Sequence, residues 1–144
     1  MQILFFQVIH SAWIANLVPM RKKYKDIRLC VDFININQAS KKDNYLIPSM
    51  DEFLQLVSVS QMFSLLDGFF GYNQVLVAKE DRLKTTFQTK WGTISFLRIP
   101  FGLINTGATF QCTMDVTFRG LFNKCVAVYL DYVTIYSRKK YNHI

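Results

Sequence analysis

The chain has 144 residues and a mass of 16.8 kDa, which suits one domain with a buried core and excludes a multi-domain reading. Hydrophobic residues make up 51% and aromatics 15%, enough apolar surface to offset the entropy of ordering, so a disordered chain is excluded as well. Seventeen Lys+Arg against ten Asp+Glu give +7 at pH 7, a balance that favours polyanionic partners. The plainer alternative is a protein that is basic without binding anything. Clustering favours the first: Arg21, Lys22, Lys23, Lys25 and Arg28 lie within eight residues, and Arg138, Lys139 and Lys140 stand together near the end.

Residues Gln2 to Met20 carry no formal charge and precede Arg21-Lys22-Lys23, the outline of a membrane anchor with a basic flank. Gln2, Gln7, His10, Ser11 and Asn16 interrupt that run and Pro19 lies near its end, so a strand or loop packed on the body is expected, with no membrane contact. No basic segment marks a signal peptide, and no arginine marks an amphipathic transit peptide.

Leu29, Val31 and Phe33 alternate with Cys30 and Asp32, the period of a half-buried strand. Ser49 and Glu52 have capping-box spacing, and Met50, Phe53, Leu54 and Val57 follow at helical intervals, which predicts a helix over 49–58. Met62 to Leu66 is an apolar run that stops at Asp67, before Gly68 and Gly71, and reads as a strand followed by a turn. Three more strands are predicted over 72–78, 83–89 and 93–99, the last two joined tightly at Trp91-Gly92, and 100–107 reads as a loop. Phe110, Met114 and Phe118 recur every four residues, predicting a helix over 107–122. Two β-rich runs, 125–131 and 132–137, meet at Asp131 and predict a hairpin with that acid at its tip. The pattern is α+β, an antiparallel sheet backed by helices. Cys30, Cys112 and Cys125 match no zinc or disulfide spacing and read as small buried thiols in a reducing compartment.

Two aspartates stand out. Asp67 ends an apolar strand and Asp131 sits between two others, and if the strands are neighbours the carboxylates converge at one end of the sheet. A carboxylate pair is the minimal cradle for Mg²⁺, which completes its shell with phosphate oxygens and water. The alternative is that each acid merely ends a strand or caps a turn. The Arg21 to Arg28 cluster likewise fits phosphate recognition, or else a solvated hairpin tip.

Eight short motifs then occur in order: Arg28-Leu-Cys-Val-Asp-Phe33, Lys42-Asp-Asn-Tyr45, Phe63-Ser-Leu-Leu-Asp67, Gly71-Tyr-Asn-Gln74, Lys84-Thr-Thr-Phe87, Pro100-Phe-Gly-Leu103, Ala108-Thr-Phe-Gln111 and Tyr129-Leu-Asp131. Together they resemble the reverse transcriptase domain of gypsy-type LTR retrotransposons, most closely the plant ones, from about residue 10 to the end of the chain. The resemblance implies the fingers and part of the palm of a right-hand polymerase, and RNA- or DNA-templated extension of a primer from deoxynucleoside triphosphates by a two-metal mechanism with Mg²⁺ or Mn²⁺. It assigns Asp67 and Asp131 as catalytic, metal-holding carboxylates. Lys22 and Arg28 become residues that hold the triphosphate, Tyr72 the aromatic under the sugar, and Gly102 part of the loop beside the nucleotide, with Trp91 given no role.

The departures matter equally. The family hallmark Tyr-x-Asp-Asp reads Tyr129-Leu130-Asp131-Tyr132, so the third carboxylate position is degenerate. A tyrosine is neutral at pH 7 and does not replace a carboxylate ligand. Ile34 stands for an expected arginine, Leu46 for a proline, Phe70 for a small residue, and Tyr24-Lys25 for a glycine-containing turn. With 13 residues after Asp131, the thumb and the RNase H region of the family are expected to be missing (144 − 131 = 13). The chain is thus similar to short reverse-transcriptase remnants of plant organellar genomes; the sequence itself carries no address, so that resemblance points to mitochondria and the alternative is the cytoplasm, and polymerase activity by the chain alone is expected to be absent or very weak. A non-catalytic, basic nucleic-acid-binding fragment and a non-functional remnant stand as alternatives.

Overall fold

A computed structural model of the chain describes residues 4–21, 27–122 and 124–143, with the backbone alone described at Arg28, Phe69, Phe70 and Asn142. In chain order the first elements are β1 (Phe5–Val8), β2 (Leu17–Arg21), β3 (Ile27–Val31), α1 (Ile34–Ala39), α2 (Met50–Ser58), β4 (Met62–Asp67) and α3 (Phe69–Tyr72). There follow a 3-10 turn at Arg82–Thr85, β5 (Phe87–Thr89), β6 (Gly92–Phe96), α4 (Thr106–Thr117), β7 (Val126–Tyr129), β8 (Tyr132–Ser137) and a 3-10 turn at Lys140–Asn142. Two compact units interleave along the chain, one from Met1–Lys42 with Asn73–Thr106 and the other from Asp43–Tyr72 with Gly107–Ile144. Length predicted one domain and could not reveal this subdivision.

The first unit holds two antiparallel sheets, ordered β1-β6-β5 and β2-β3. Its core is aromatic. Phe5, Phe87, Phe96 and Phe33 form a chain of edge and tilted ring contacts, with Phe33 and Phe87 buried. Phe33 belongs to the entry of α1 rather than to the strand predicted through it, because the Asp32 carboxylate accepts the Ile34 amide at 3.0 Å and turns the chain into the helix.

Two other predicted strands of this unit are also revised. Val77 donates to the Leu97 carbonyl and Ile99 to the Val75 carbonyl, both at 3.0 Å, so the strand predicted over 72–78 contracts to a single bridge at Leu76 and Arg98. The one predicted over 83–89 begins as a 3-10 turn, since the Thr85 and Thr86 hydroxyls donate to the Arg82 and Leu83 carbonyls and draw the backbone away from the ladder. Strand pairing starts only at Phe87.

The second unit contains the antiparallel sheet β4-β8-β7. Val126, Val128 and Val133 are buried together, and Met114, Phe118 and Phe122 pack on them, so α4 and the turn after it cover this part of the sheet. The four-residue spacing that predicted a helix over 107–122 thus holds for its apolar face, while α4 itself closes at Thr117. The α2 helix packs against β7, with Phe53 and Tyr129 ring centroids 5.9 Å apart. Its start is the predicted capping box: Glu52 donates its amide to Ser49 Oγ at 3.1 Å, and Ser49 donates its own amide to Glu52 Oε2 at 2.9 Å. The expected architecture of antiparallel sheet backed by helices holds, with the described strands divided among three small sheets. Cys112, expected to be buried, is exposed, and Cys30 and Cys125 are half-buried. Among the described residues no helix is long and apolar enough to cross a membrane.

Candidate active site

The predicted hairpin is present, and its register decides the site. β7 and β8 pair from Val126↔Ile135 to Tyr129↔Tyr132, leaving Leu130 and Asp131 as a two-residue tip. Such tips require positive φ, and Leu130 supplies it at φ 52°. β4 pairs with the other edge of β8, from Met62↔Ser137 to Asp67↔Tyr132. The side-by-side strands that the two carboxylates needed are therefore neighbours, with Asp67 directly across from Tyr132 and one residue from the position opposite Asp131.

A backbone hydrogen bond ties the two acids further. The amide of Gly68, next to Asp67, donates to the Asp131 carbonyl over 2.5 Å. A Cβ on Gly68 would stand 2.5 Å from that same oxygen and 3.2 Å from Phe110 Cζ, so the absence of a side chain lets the tip close on the end of β4. Asp67 is exposed, Asp131 half-buried, and Tyr132 47% exposed, which leaves this end of the sheet open to a ligand.

Tyr72 closes α3 beside them. It is buried, and its ring stacks on Phe110 of α4 with centroids 4.0 Å apart and planes 10° from parallel. Burial, and then the charge of Asp131, push its phenol up to about 12. Around neutrality it is therefore a neutral hydroxyl. Gly71 allows this stack, since a Cβ there would come within 2.8 Å of Phe110 Cε2.

Phe110, Gly68 and Gly71 carry no site role that the sequence alone reveals. Phe110 read as one apolar position of a helix, and Gly68 and Gly71 as a turn. Their signal was available in retrospect: two glycines three apart immediately after a strand-ending acid mark a close approach of another segment.

Gly102 belongs to the first unit, in a loop at φ 98°, where its carbonyl accepts Asn37 Nδ2 at 2.7 Å. Lys22 and the Tyr24-Lys25 turn lie outside the described residues, as do the side chains of Arg28 and Phe70; the Arg28 backbone pairs with Met20 in the β2-β3 ladder. Trp91 stands at the tip of the β5-β6 hairpin and is 78% exposed.

As a donor set, two carboxylates at a sheet end suit one hard divalent cation that takes its other ligands from substrate oxygens and water. Among the described residues no group of three or more His, Cys, Asp or Glu could enclose a metal.

Residues 20–144 match the family of the reverse transcriptase (RNA-dependent DNA polymerase). The chain is 36% identical over 132 residues to the retrovirus-related Pol polyprotein from transposon 297 of Drosophila melanogaster, a match covering 92% of this chain and 12% of that protein. It is 36% identical over 121 residues to an RNA-directed DNA polymerase homolog of Oenothera berteroana, covering 82% of this chain and 85% of that one. Among solved structures it resembles the foamy viral protease-reverse transcriptase in complex with RNA/DNA hybrid, with a TM-score of 0.83 and 16% identity over 97% of this chain and 18% of that one. That likeness speaks for the fold, and it agrees with the expected α+β fingers and partial palm.

Proposed function

The chain belongs to the reverse transcriptase (RNA-dependent DNA polymerase) family, and from that premise we propose that Asp67 and Asp131 are the metal-holding carboxylates of template-directed nucleotidyl transfer. The observation that carries the reading is the β4-β8 register, which sets Asp67 across from Tyr132, next to Asp131, with Gly68 bonded to the Asp131 carbonyl. The substrates in this reading are a primer paired to an RNA or DNA template and deoxynucleoside triphosphates. Solved relatives of the same fold in complex with dsDNA or with RNA/DNA hybrid support a nucleic-acid partner. A divalent ion, Mg²⁺ or Mn²⁺, supplies Lewis-acid neutralisation of charge on the transferring phosphate.

The chain's own residues divide the remaining work. Tyr72, held flat on Phe110 and kept protonated, offers a rigid surface under the sugar of the incoming nucleotide. Lys22 and Arg28 contact the triphosphate, where an ammonium gives a point charge and a guanidinium a planar fork. Gly102 lines the loop beside the nucleotide. Tyr132 is the weak point: an exposed phenol occupies the place of a third carboxylate, so one acidic ligand fewer is offered to a metal and the phosphates.

Polymerase activity of the chain is accordingly absent or very weak. We also read its ancestry as gypsy-type and of plant origin. The 36% identity to the transposon gypsy polyprotein of Drosophila, over 81% of this chain and 11% of that protein, and the Oenothera relative support that descent.

Primer extension on an RNA template with Mg²⁺ or Mn²⁺, run beside Tyr132→Asp, tests the reading. The expected result is little incorporation by the unmodified chain and a gain in the variant that Asp67→Asn abolishes. Strong incorporation by the unmodified chain overturns the role given to Tyr132. Activity that survives Asp67→Asn overturns the carboxylate assignment.

A further inference from the structure

The hairpin between β5 and β6 is closed by Thr89↔Gly92, which leaves Lys90 and Trp91 as its tip. The tip is held in one geometry. The Trp91 amide donates to Thr89 Oγ1 at 3.2 Å, that hydroxyl donates to the Gly92 carbonyl at 2.8 Å, and Gly92 takes φ 125°. Yet the indole is 78% exposed, so its large apolar surface contributes little to the fold that positions it.

Trp91 forms one wall of a shallow groove of about 340 Å³, completed by Phe5, Phe6 and Gln7 of β1 and by Ile94 of β6. That volume lies at the small end of the roughly 300–1,000 Å³ typical of small-ligand sites. Lys90 Nζ stands 4.3 Å from the indole centroid. A flat aromatic wall, an apolar floor, one amide and a cation over one face of the ring are the elements of a sequence-tolerant grip on single-stranded nucleic acid: the opposite face of the ring takes a base and the ammonium a phosphate. The net charge of +7 draws such a strand to the protein. A duplex, whose base faces are already stacked, has nothing to offer the indole.

We propose that this groove binds an unpaired nucleobase of a single strand, stacked on Trp91 with a neighbouring phosphate on Lys90. The site rests on the nucleic-acid part of the proposed function but uses none of the residues assigned there. The test uses the whole chain with Trp13→Phe, so that Trp91 is the one remaining tryptophan. It is titrated with a single-stranded oligothymidylate, with an abasic phosphodiester strand of equal length, and with duplex DNA.

Quenching of Trp91 by the oligothymidylate and not by the abasic strand or duplex is expected. With a labelled oligothymidylate, Trp91→Ala weakens binding about tenfold and Trp91→Phe, which keeps a ring, much less. Lys90→Gln lowers the salt slope by about 0.7, while Trp91→Ala leaves it unchanged. Equal affinity of Trp91→Ala and the parent, or equal quenching by the abasic strand, overturns this site and leaves the nucleic-acid reading standing. Absence of binding to any strand overturns both.

Discussion

The ring of Tyr72 lies flat on that of Phe110, 4.0 Å between centroids, and both side chains are almost completely shielded from solvent. The stack links α3, which follows Asp67, to α4, and its tyrosine feels the charge of Asp131. Phe110 therefore supports the candidate site without belonging to it. Phe110→Ala is expected to cost about 3–5 kcal/mol, the range for removing a buried aromatic, read as a lower midpoint of urea unfolding. Phe110→Leu, which refills most of the space without a ring, is expected to cost less while still freeing Tyr72 to turn. A loss under 1 kcal/mol in the alanine variant, on the order of a surface change, would show that the ring is not held as described.

Gly68→Ala addresses the tie between the acids. The added methyl would sit 2.5 Å from the Asp131 carbonyl oxygen, so either the hairpin tip or the end of β4 must move. Overpacking of this kind costs about 1–3 kcal/mol. Thermal unfolding checks it, with Gly120→Ala as the contrast: nothing lies within 4 Å of a Cβ at Gly120, although its φ of 88° adds backbone strain. The two variants are expected to separate in amide exchange, with Gly68→Ala exposing the amide at position 68 and Gly120→Ala leaving it protected.

Alkaline conditions reach the same region. Burial and the Asp131 charge hold the Tyr72 phenol at about 12, and a hydrogen bond donated to the Asp115 carboxylate, with burial, holds Tyr45 at about 12. In the unfolded chain both ionise near 10. Below that value both states carry the proton and the contribution to stability is complete. Between about 10 and 12 the unfolded chain loses protons that the folded chain keeps, so stability falls as pH rises. Tyr72→Phe is expected to flatten this decline across that window, as measured by urea midpoints against pH; an unchanged slope would contradict the shift.

Tyr132→Asp has a consequence separable from catalysis. The residue is 47% exposed and stands opposite Asp67, so a third carboxylate there adds repulsion at the sheet end without metal and a ligand with it. The variant is expected to melt slightly below the parent in chelator and to gain more in Tm from millimolar Mg²⁺ or Mn²⁺. Identical metal responses of the two proteins would remove Tyr132 from the metal-facing end.

What the sequence made legible follows from how local each signal is. The α2 helix was readable because Ser49 and Glu52 satisfy each other's backbone within four residues. The β7-β8 hairpin was readable because its β-branched and aromatic runs meet at a charged tip. The α1 helix was not: its N-cap is Phe33, with no side-chain cap, and its first turn lacks an acid. Its polar Asn37 is settled by Gly102 and Ile104, more than sixty residues away, a contact no window of sequence contains. In the same way Asp67 and Asp131 were recognisable as unusual, whereas the Phe110 ring against Gly68 and Gly71 depends on α4 and α3 meeting in space.

The ladder between β4 and β8 also sets what kinds of genetic change the site can absorb. Asp67 and Asp131 are brought together by six residues of β4 in fixed register, so their proximity is a property of the backbone and not of the side chains between. Substitutions along β4 leave that count intact. Deleting or inserting one residue anywhere from 62 to 67 shifts the count by one and turns every later side chain to the opposite face, sending Asp67 away from the hairpin tip. A lineage of such chains can therefore drift widely in residue identity and keep the two acids together, but a single frame-preserving gain or loss of one codon within this strand separates them at once.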